Sequence, residues 1–243
     1  MTAIRINTWS SPRNVSTALM YSFAQRPDTT VVDEPLYAHY LKNTDTKAVH
    51  PRADAILATM ENSGRRVVEK TVLGPVSTKV LFLKQMTHHL IELDWSFLKK
   101  TKNVLLIRNP RRIIASYTKV IDNPTIEDVG IKKQYELFQY LVAAGQTPVV
   151  VDARELLLNP PVVLRKICAQ LAIPFLDTML RWEAGPIPED GVWAPDWYAN
   201  VHRSTGFIPY QEKEVKLKGA AAELADTCQP YYNFLYPFAL RAF

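Results

Sequence analysis

A chain of 243 residues, 47% hydrophobic and 22% charged, is long enough to bury a full core and too apolar to stay disordered. The net charge of +5 is mild, acids are spread among the bases, and no Lys/Arg block is long enough to track a nucleic-acid backbone, which favours a small anionic ligand over DNA or RNA. Cys168 and Cys228 lie too far apart in sequence to suggest a disulfide framework or a metal knuckle. No basic region followed by an apolar core opens the chain, and no apolar run reaches roughly 18 residues, so a cytoplasmic protein without a membrane partner is expected.

The segment from Ile4 to Phe23 carries the strongest signal. A short β-type run enters a polar turn holding one cation, Arg13, and two adjacent hydroxyls, Ser16 and Thr17, then open an apolar helical pattern over Ser16 to Gln25. Strand, short loop and helix N-terminus in that order make an anion site, because free N–H groups and the helix dipole face the ligand. The turn has no glycine and no Gly-Lys-Ser/Thr ending, both of which a loop wrapping a β/γ-phosphate pair requires. Taken alone, the same pattern also fits an ordinary helix start with Ser16 as cap and Arg13 in solvent.

Further along the chain, β-type runs are read at Arg5 to Asn7, Thr30 to Asp33, Arg66 to Lys70, Asn103 to Arg108 and Thr147 to Asp152. Val104-Leu105-Leu106-Ile107 and Val149-Val150-Val151 are continuous apolar runs, as in parallel strands covered on both faces. Helical patterns separate them at Arg52 to Glu61, Val76 to Leu98, Pro110 to Ile121 and Glu127 to Ala144. This alternation predicts an α/β domain with an open parallel sheet flanked by helices, whose ligands bind at the carboxyl ends of the strands. The stretch Gly185 to Pro209, rich in Pro, Gly and aromatic residues, reads as a functional loop or lid. A helix over Glu212 to Thr227 and an aromatic tail, Tyr231 to Phe243, form a C-terminal extension of a single domain spanning 1–243.

Four strand ends carry chemistry on this reading. Besides the Arg13 turn, Asp33-Glu34-Pro35 places an acid at the crevice, with Glu34 a candidate general base and His39 a competitor. Lys70 sits at the end of the third β-type run as a second candidate cation. Arg108 ends the fourth, followed by Arg112 and Ser116 on one helix face, an arrangement suited to a terminal phosphate.

These residues together resemble the sulfotransferase family, whose donor is 3′-phosphoadenylyl sulfate (PAPS), in particular its bacterial branch. Ser11 to Thr17 looks like the family's 5′-phosphosulfate loop, which implies a cation at Arg13, backbone contacts at Asn14 and Val15, and hydroxyl ligands at Ser16 and Thr17. Arg108 to Tyr117 looks like the 3′-phosphate motif, implying Arg108 and Ser116 as ligands, and Asp152 to Leu157 resembles the segment that follows it. The resemblance implies a P-loop-type, three-layer fold and no metal requirement. It also departs from the family: Val15 stands where a glycine is usual, and Ala18 where cytosolic members stack a tryptophan on adenine. Their Lys-Thr-His triplet is matched with Lys70-Thr71-Val72, which keeps the lysine and loses the base. Glu34 occupies the position of the base in carbohydrate- and tyrosine-modifying members. The Arg-Lys-Gly clamp is absent, with Arg203, Ser204 and Gly206 as substitutes.

The implied activity is sulfuryl transfer to a hydroxyl or amine of a small-molecule or carbohydrate acceptor, with PAP as product, Glu34 as base, and Arg13 and Lys70 as fixed cations. Two rivals stay open: a P-loop-fold kinase using Mg-ATP, and a non-catalytic binder of PAP or another nucleotide, which would have no use for Glu34.

Overall fold

The computed structural model describes residues 3–46 and 50–243. Five strands, β1 Ile4–Ser10, β2 Thr29–Asp33, β3 Val80–Met86, β4 Lys102–Ile107 and β5 Val149–Asp152, form one sheet in the order β2-β3-β1-β4-β5 with every pair parallel. The helices are α1 Ser16–Ala24, α2 Tyr37–Lys42, α3 Ala53–Thr59, α4 Gly64–Val67, α5 Pro110–Tyr117, α6 Ile126–Val129, α7 Ile131–Ala143, α8 Ala153–Leu158, α9 Pro160–Leu171, α10 Ala194–Trp197, α11 Ala199–His202 and α12 Ala220–Leu235.

The apolar run of β4 shows how the layers arise. Val104 and Leu106 enter one core with α1 and α9 residues such as Leu19, Phe23 and Ile167. Leu105 and Ile107 enter a second core with Ile113 of α5, Leu137 of α7 and Cys228 of α12. Alternate side chains therefore serve opposite faces, and both faces must be covered. The long helical pattern over Glu127 to Ala144 breaks at Gly130, whose φ of +73° ends α6 and starts α7. The aromatic tail docks on β5: the Tyr232 hydroxyl donates to Asp152 Oδ2 at 3.0 Å, and the Leu240 N–H donates to the Val150 carbonyl at 3.0 Å.

One strand differs from the sequence-based expectation. Arg66 to Lys70 is helical, running from α4 into a single wide π-type turn, Val68–Val72. The third strand is instead Val80–Met86, inside the stretch read as helix from Val76 to Leu98. All seven of its residues are buried, Lys84 and Gln85 included. An apolar run closed by polar residues satisfies a helical period as well as a strand, and pairing with β1 and β2 decides between them.

Candidate functional site

The parallel strands all point their carboxyl ends at one edge, and a cavity of about 760 Å³ lies along it. It runs from the β2–β3 end, lined by Glu34, Lys84 and Met86, across the β1–α1 loop to the ends of β4 and β5, lined by Arg108, Asp152 and Arg154.

At the β1–β4–β5 end the cavity wall is cationic. The β1–α1 loop turns on Arg13 itself, whose φ of +55° lies in the left-handed region, while the α1 N-cap Val15 sits at φ −92° and needs no glycine. No side chain caps α1, so the first-turn N–H groups behind Ser16 and Thr17 stay available to a ligand. Arg13 Nε donates to Ser116 Oγ at 3.0 Å, and Arg108 Nη1 donates to the Arg13 carbonyl. Loop and α5 are thereby joined across 103 residues of sequence. Neither Arg13 nor Arg108 has a carboxylate within salt-bridge distance among the described residues. Burial, then the cations of Arg112 and Arg13, push the Arg108 pKa down. Arg112 is paired with Glu212 and lies 5.1 Å from the Tyr210 ring centroid.

At the β2–β3 end lies a buried ionic cluster. Lys84 Nζ donates to Asp33 Oδ1 at 2.8 Å, to the Tyr198 hydroxyl at 2.7 Å, and to Glu34 Oε1. The Tyr198 hydroxyl in turn donates to Asp33 Oδ2 at 2.7 Å and accepts from Trp193 Nε1 at 2.9 Å. The Gly191 N–H also reaches Asp33 Oδ2 at 3.1 Å. Three residues of the Gly185–Pro209 stretch are thus fastened to the sheet edge. Burial raises the Glu34 carboxyl to about 7; Lys84 pulls it down and Asp33 pushes it up. Burial alone would lower the Lys84 ammonium, but Asp33 and Glu34 outweigh it and hold the lysine charged. Glu34 also has a positive φ of 41°, a strained conformation for a non-glycine residue that the ion cluster holds at the crevice. Beside it stand His88 and His89, both driven neutral, His88 to about 3, chiefly by burial. His89 is sandwiched between Tyr37 and Tyr40, with ring centroids at 4.6 and 4.8 Å.

The family model described as "Sulfotransferase domain" matches residues 4–238. The chain belongs to the sulfotransferase family. Two Arabidopsis thaliana relatives, branched-chain-amino-acid aminotransferase-like proteins 2 and 1, are 41% and 42% identical over 231 residues, 95% of this chain. The chain spans 41% of each of them. The sulfotransferase domain of the Synechococcus PCC 7002 olefin synthase is 19% identical, with 93% of this chain and 94% of that domain covered at a TM-score of 0.53. A sulfotransferase from Alicyclobacillus acidocaldarius is 12% identical, with coverage of 75% and 87% and a TM-score of 0.53. At these identities the likeness establishes the fold, in agreement with the five-stranded parallel sheet.

Within this sulfotransferase fold, Arg13, Asn14, Val15, Ser16, Thr17, Glu34, Arg108, Ser116, Ser204 and Gly206 all line the cavity. Three predicted residues do not. Lys70 is exposed on the helical turn and does not line the cavity, because its segment is not a strand. Arg203 is exposed and donates to Asn200 Oδ1 at 3.0 Å. His39 is buried with both ring nitrogens engaged, by the Ile91 carbonyl and Asn43 Nδ2, each at 3.0 Å. The match of the family triplet with Lys70-Thr71-Val72 falls with the strand; the strand that reaches the crevice, β3, ends at Met86 and is followed by a 3-10 turn, Thr87–His89. The sequence reading misses Lys84, His88 and His89 as site residues, whereas Tyr198 lies in the aromatic stretch it assigns to a functional loop or lid. A lysine closing an apolar run was the available signal for Lys84, and its carboxylate partners lie 50 and 51 residues away.

Proposed function

We propose that this chain transfers a sulfuryl group from PAPS to a hydroxyl or amine of a small-molecule or carbohydrate acceptor, with Glu34 as general base. The observation that carries the reading is one cavity with two chemically opposed ends: Arg13 and Arg108, without a carboxylate partner among the described residues, at one, and a carboxyl raised to about 7 at the other.

The cationic end suits a bisphosphate. Arg108 and Ser116 would hold the 3′-phosphate, and Arg13, Ser16, Thr17 and the free α1 N–H groups the 5′-phosphosulfate. When bound, PAPS supplies an activated sulfuryl group whose bond to the bridging phosphate oxygen breaks as the acceptor bond to sulfur forms. Glu34 takes the proton leaving the acceptor. A carboxyl poised near neutrality is tuned for that task, whereas the depressed neutral imidazoles of His88 and His89 are weak bases. Arg13 opposes charge developing on the leaving oxygen as a preorganised cation, and Lys84 fixes the Glu34 carboxylate from behind. Tuning of this kind favours an enzyme over a passive nucleotide binder. The aminotransferase in the names of the Arabidopsis relatives refers to proteins more than twice as long as the match, and is not carried over.

Calorimetric titration with PAP, adenosine 5′-monophosphate and Mg-ATP tests the donor. Tight binding of PAP alone supports the reading; preference for Mg-ATP refutes it in favour of a kinase. Arg108→Ala should weaken PAP binding by roughly 2 to 5 kcal/mol, the usual cost of removing one partner of a buried charge pair. Undiminished affinity would remove Arg108 from the 3′-phosphate site. Turnover should also rise with pH along a limb centred near pH 7, where Glu34 loses its proton. A rate flat from pH 5.5 to about 8.5 would mean that another group is the base.

A further inference from the structure

The two ends of the cavity differ in charge as well as chemistry. Of the cavity-lining cations, Arg13, Arg108, Arg112, Arg154 and Lys213 all belong to the β1–β4–β5 side. Over β2 and β3 the wall is made of Tyr37, His50, Met86, His88, His89 and Trp193. Among the described residues, the charged side chains lining that part are Glu34 and Lys84, and they are bonded to each other. Asp33 stands behind them on the same lysine. Asp128, a further carboxylate felt by His50 and His88, caps α6 and does not line the cavity. All three histidines are kept neutral by burial. The Nδ1 atoms of His88 and His89 are buried without a hydrogen-bond partner among the described residues.

A carboxylate or phosphate on an acceptor bound here would find no uncommitted cation among the described residues. An ammonium brought to Glu34 would sit beside Lys84, a second cation already bonded to Glu34 Oε1. Either charge would be stripped of water with nothing to replace it, which costs far more than burying a neutral group. Flat aromatic faces and an unbranched Met86 instead suit an apolar body, and neutral imidazoles suit a hydroxyl.

We propose that the acceptor is a compact, uncharged alcohol whose apolar body lies against the aromatic wall over β2 and β3, an inference that rests on the sulfotransferase reading above. In the transfer, the alcohol oxygen forms the new bond to sulfur, its proton passes to Glu34, and the bond from sulfur to the bridging oxygen breaks to release PAP.

The test uses the full chain, PAPS and three probes alike in their reacting group: benzyl alcohol, para-(hydroxymethyl)benzoate and para-(aminomethyl)benzyl alcohol, the last protonated near neutral pH. PAP affinity is measured first by calorimetry, and sulfated product is then quantified for each probe. The expected result is a kcat/KM for benzyl alcohol about 100-fold above either charged probe, the penalty of one unpaired charge in a buried site. Met86→Lys places a cation in the wall and should narrow the gap for the benzoate to about tenfold or less. The wild-type series decides the matter even if that variant misfolds. PAP binding together with equal use of a charged probe, or with no product from any of the three, overturns the neutral-acceptor inference and leaves the donor assignment standing. Absence of both PAP binding and PAPS cleavage overturns the sulfotransferase reading and this inference with it.

Discussion

Glu34→Gln is expected to lower turnover by about 100- to 10,000-fold while leaving PAP affinity essentially unchanged, because the amide keeps the shape of the side chain and cannot take a proton. The proposed donor contacts, Arg13, Ser16, Thr17, Arg108 and Ser116, line the other end of the cavity, so loss of the base should leave PAP binding in place. The amide oxygen can still accept from Lys84, and Asp33 remains as that lysine's counter-ion, so the fold should persist. The rising limb of the pH profile near 7 should vanish with the carboxyl. Stability supplies an independent reading of the same group. Its folded-state pKa lies above the ordinary 4.5, so the folded protein binds this proton more tightly than the unfolded chain. The resulting stability is fully present below pH about 4.5 and is lost as pH rises through about 7. Glu34→Gln should therefore flatten the pH dependence of the denaturation midpoint across that window. Wild-type turnover in the variant would remove Glu34 from the mechanism.

Lys84→Met is expected to destabilise the protein by about 3 to 5 kcal/mol, the cost of breaking a buried ion cluster from one side. The methionine fills the space of the lysine stem but leaves Asp33 and Glu34 as two buried carboxylates without a cation. Without the lysine that pulls it down, the Glu34 carboxyl should titrate higher still, so the variant should regain stability as pH falls and that carboxyl neutralises. Adding Asp33→Asn should recover part of the loss, since one of the two uncompensated charges is gone and the amide can still accept from Tyr198. Activity should drop along with stability, because Lys84 also orients Glu34. Lys70→Met is the contrasting case: on an exposed turn away from the cavity, it should change stability by no more than about 0.5 kcal/mol. Urea denaturation of the three variants measures these differences. An unshifted midpoint for Lys84→Met would show that the cluster is not an energetic unit.

The contrast between Lys70 and Lys84 marks the limit of local pattern. The loop from Ser11 to Thr17 was legible because its chemistry is contiguous: a cation, two hydroxyls and a helix start fall within seven residues. The β4 run and Arg108 were legible for the same reason, an unbroken apolar segment ending in a charge. Arg66 to Lys70 imitates that grammar, with two valines followed by charges, yet it folds as a helical turn. The segment that does enter the sheet, Val80 to Met86, carries its lysine inside the buried strand. A buried lysine looks wrong in isolation, since its desolvation is unfavourable until carboxylates surround it. Those carboxylates arrive from the end of β2 and the residue after it, and the Tyr198 hydroxyl from between α10 and α11, 114 residues further on.

By itself, then, the sequence determined the parallel sheet flanked by helices, the polar loop between β1 and α1 with its cation and hydroxyls, and Glu34 as an acid at the crevice. These rest on periodicity and short-range spacing, which act within a dozen residues. Only the tertiary structure decided which lysine joins the site, that His88 and His89 rather than His39 face the cavity, and that Glu34 titrates near neutrality. Each of those outcomes depends on desolvation and on charges brought together from distant parts of the chain, and neither quantity exists until the strands have paired.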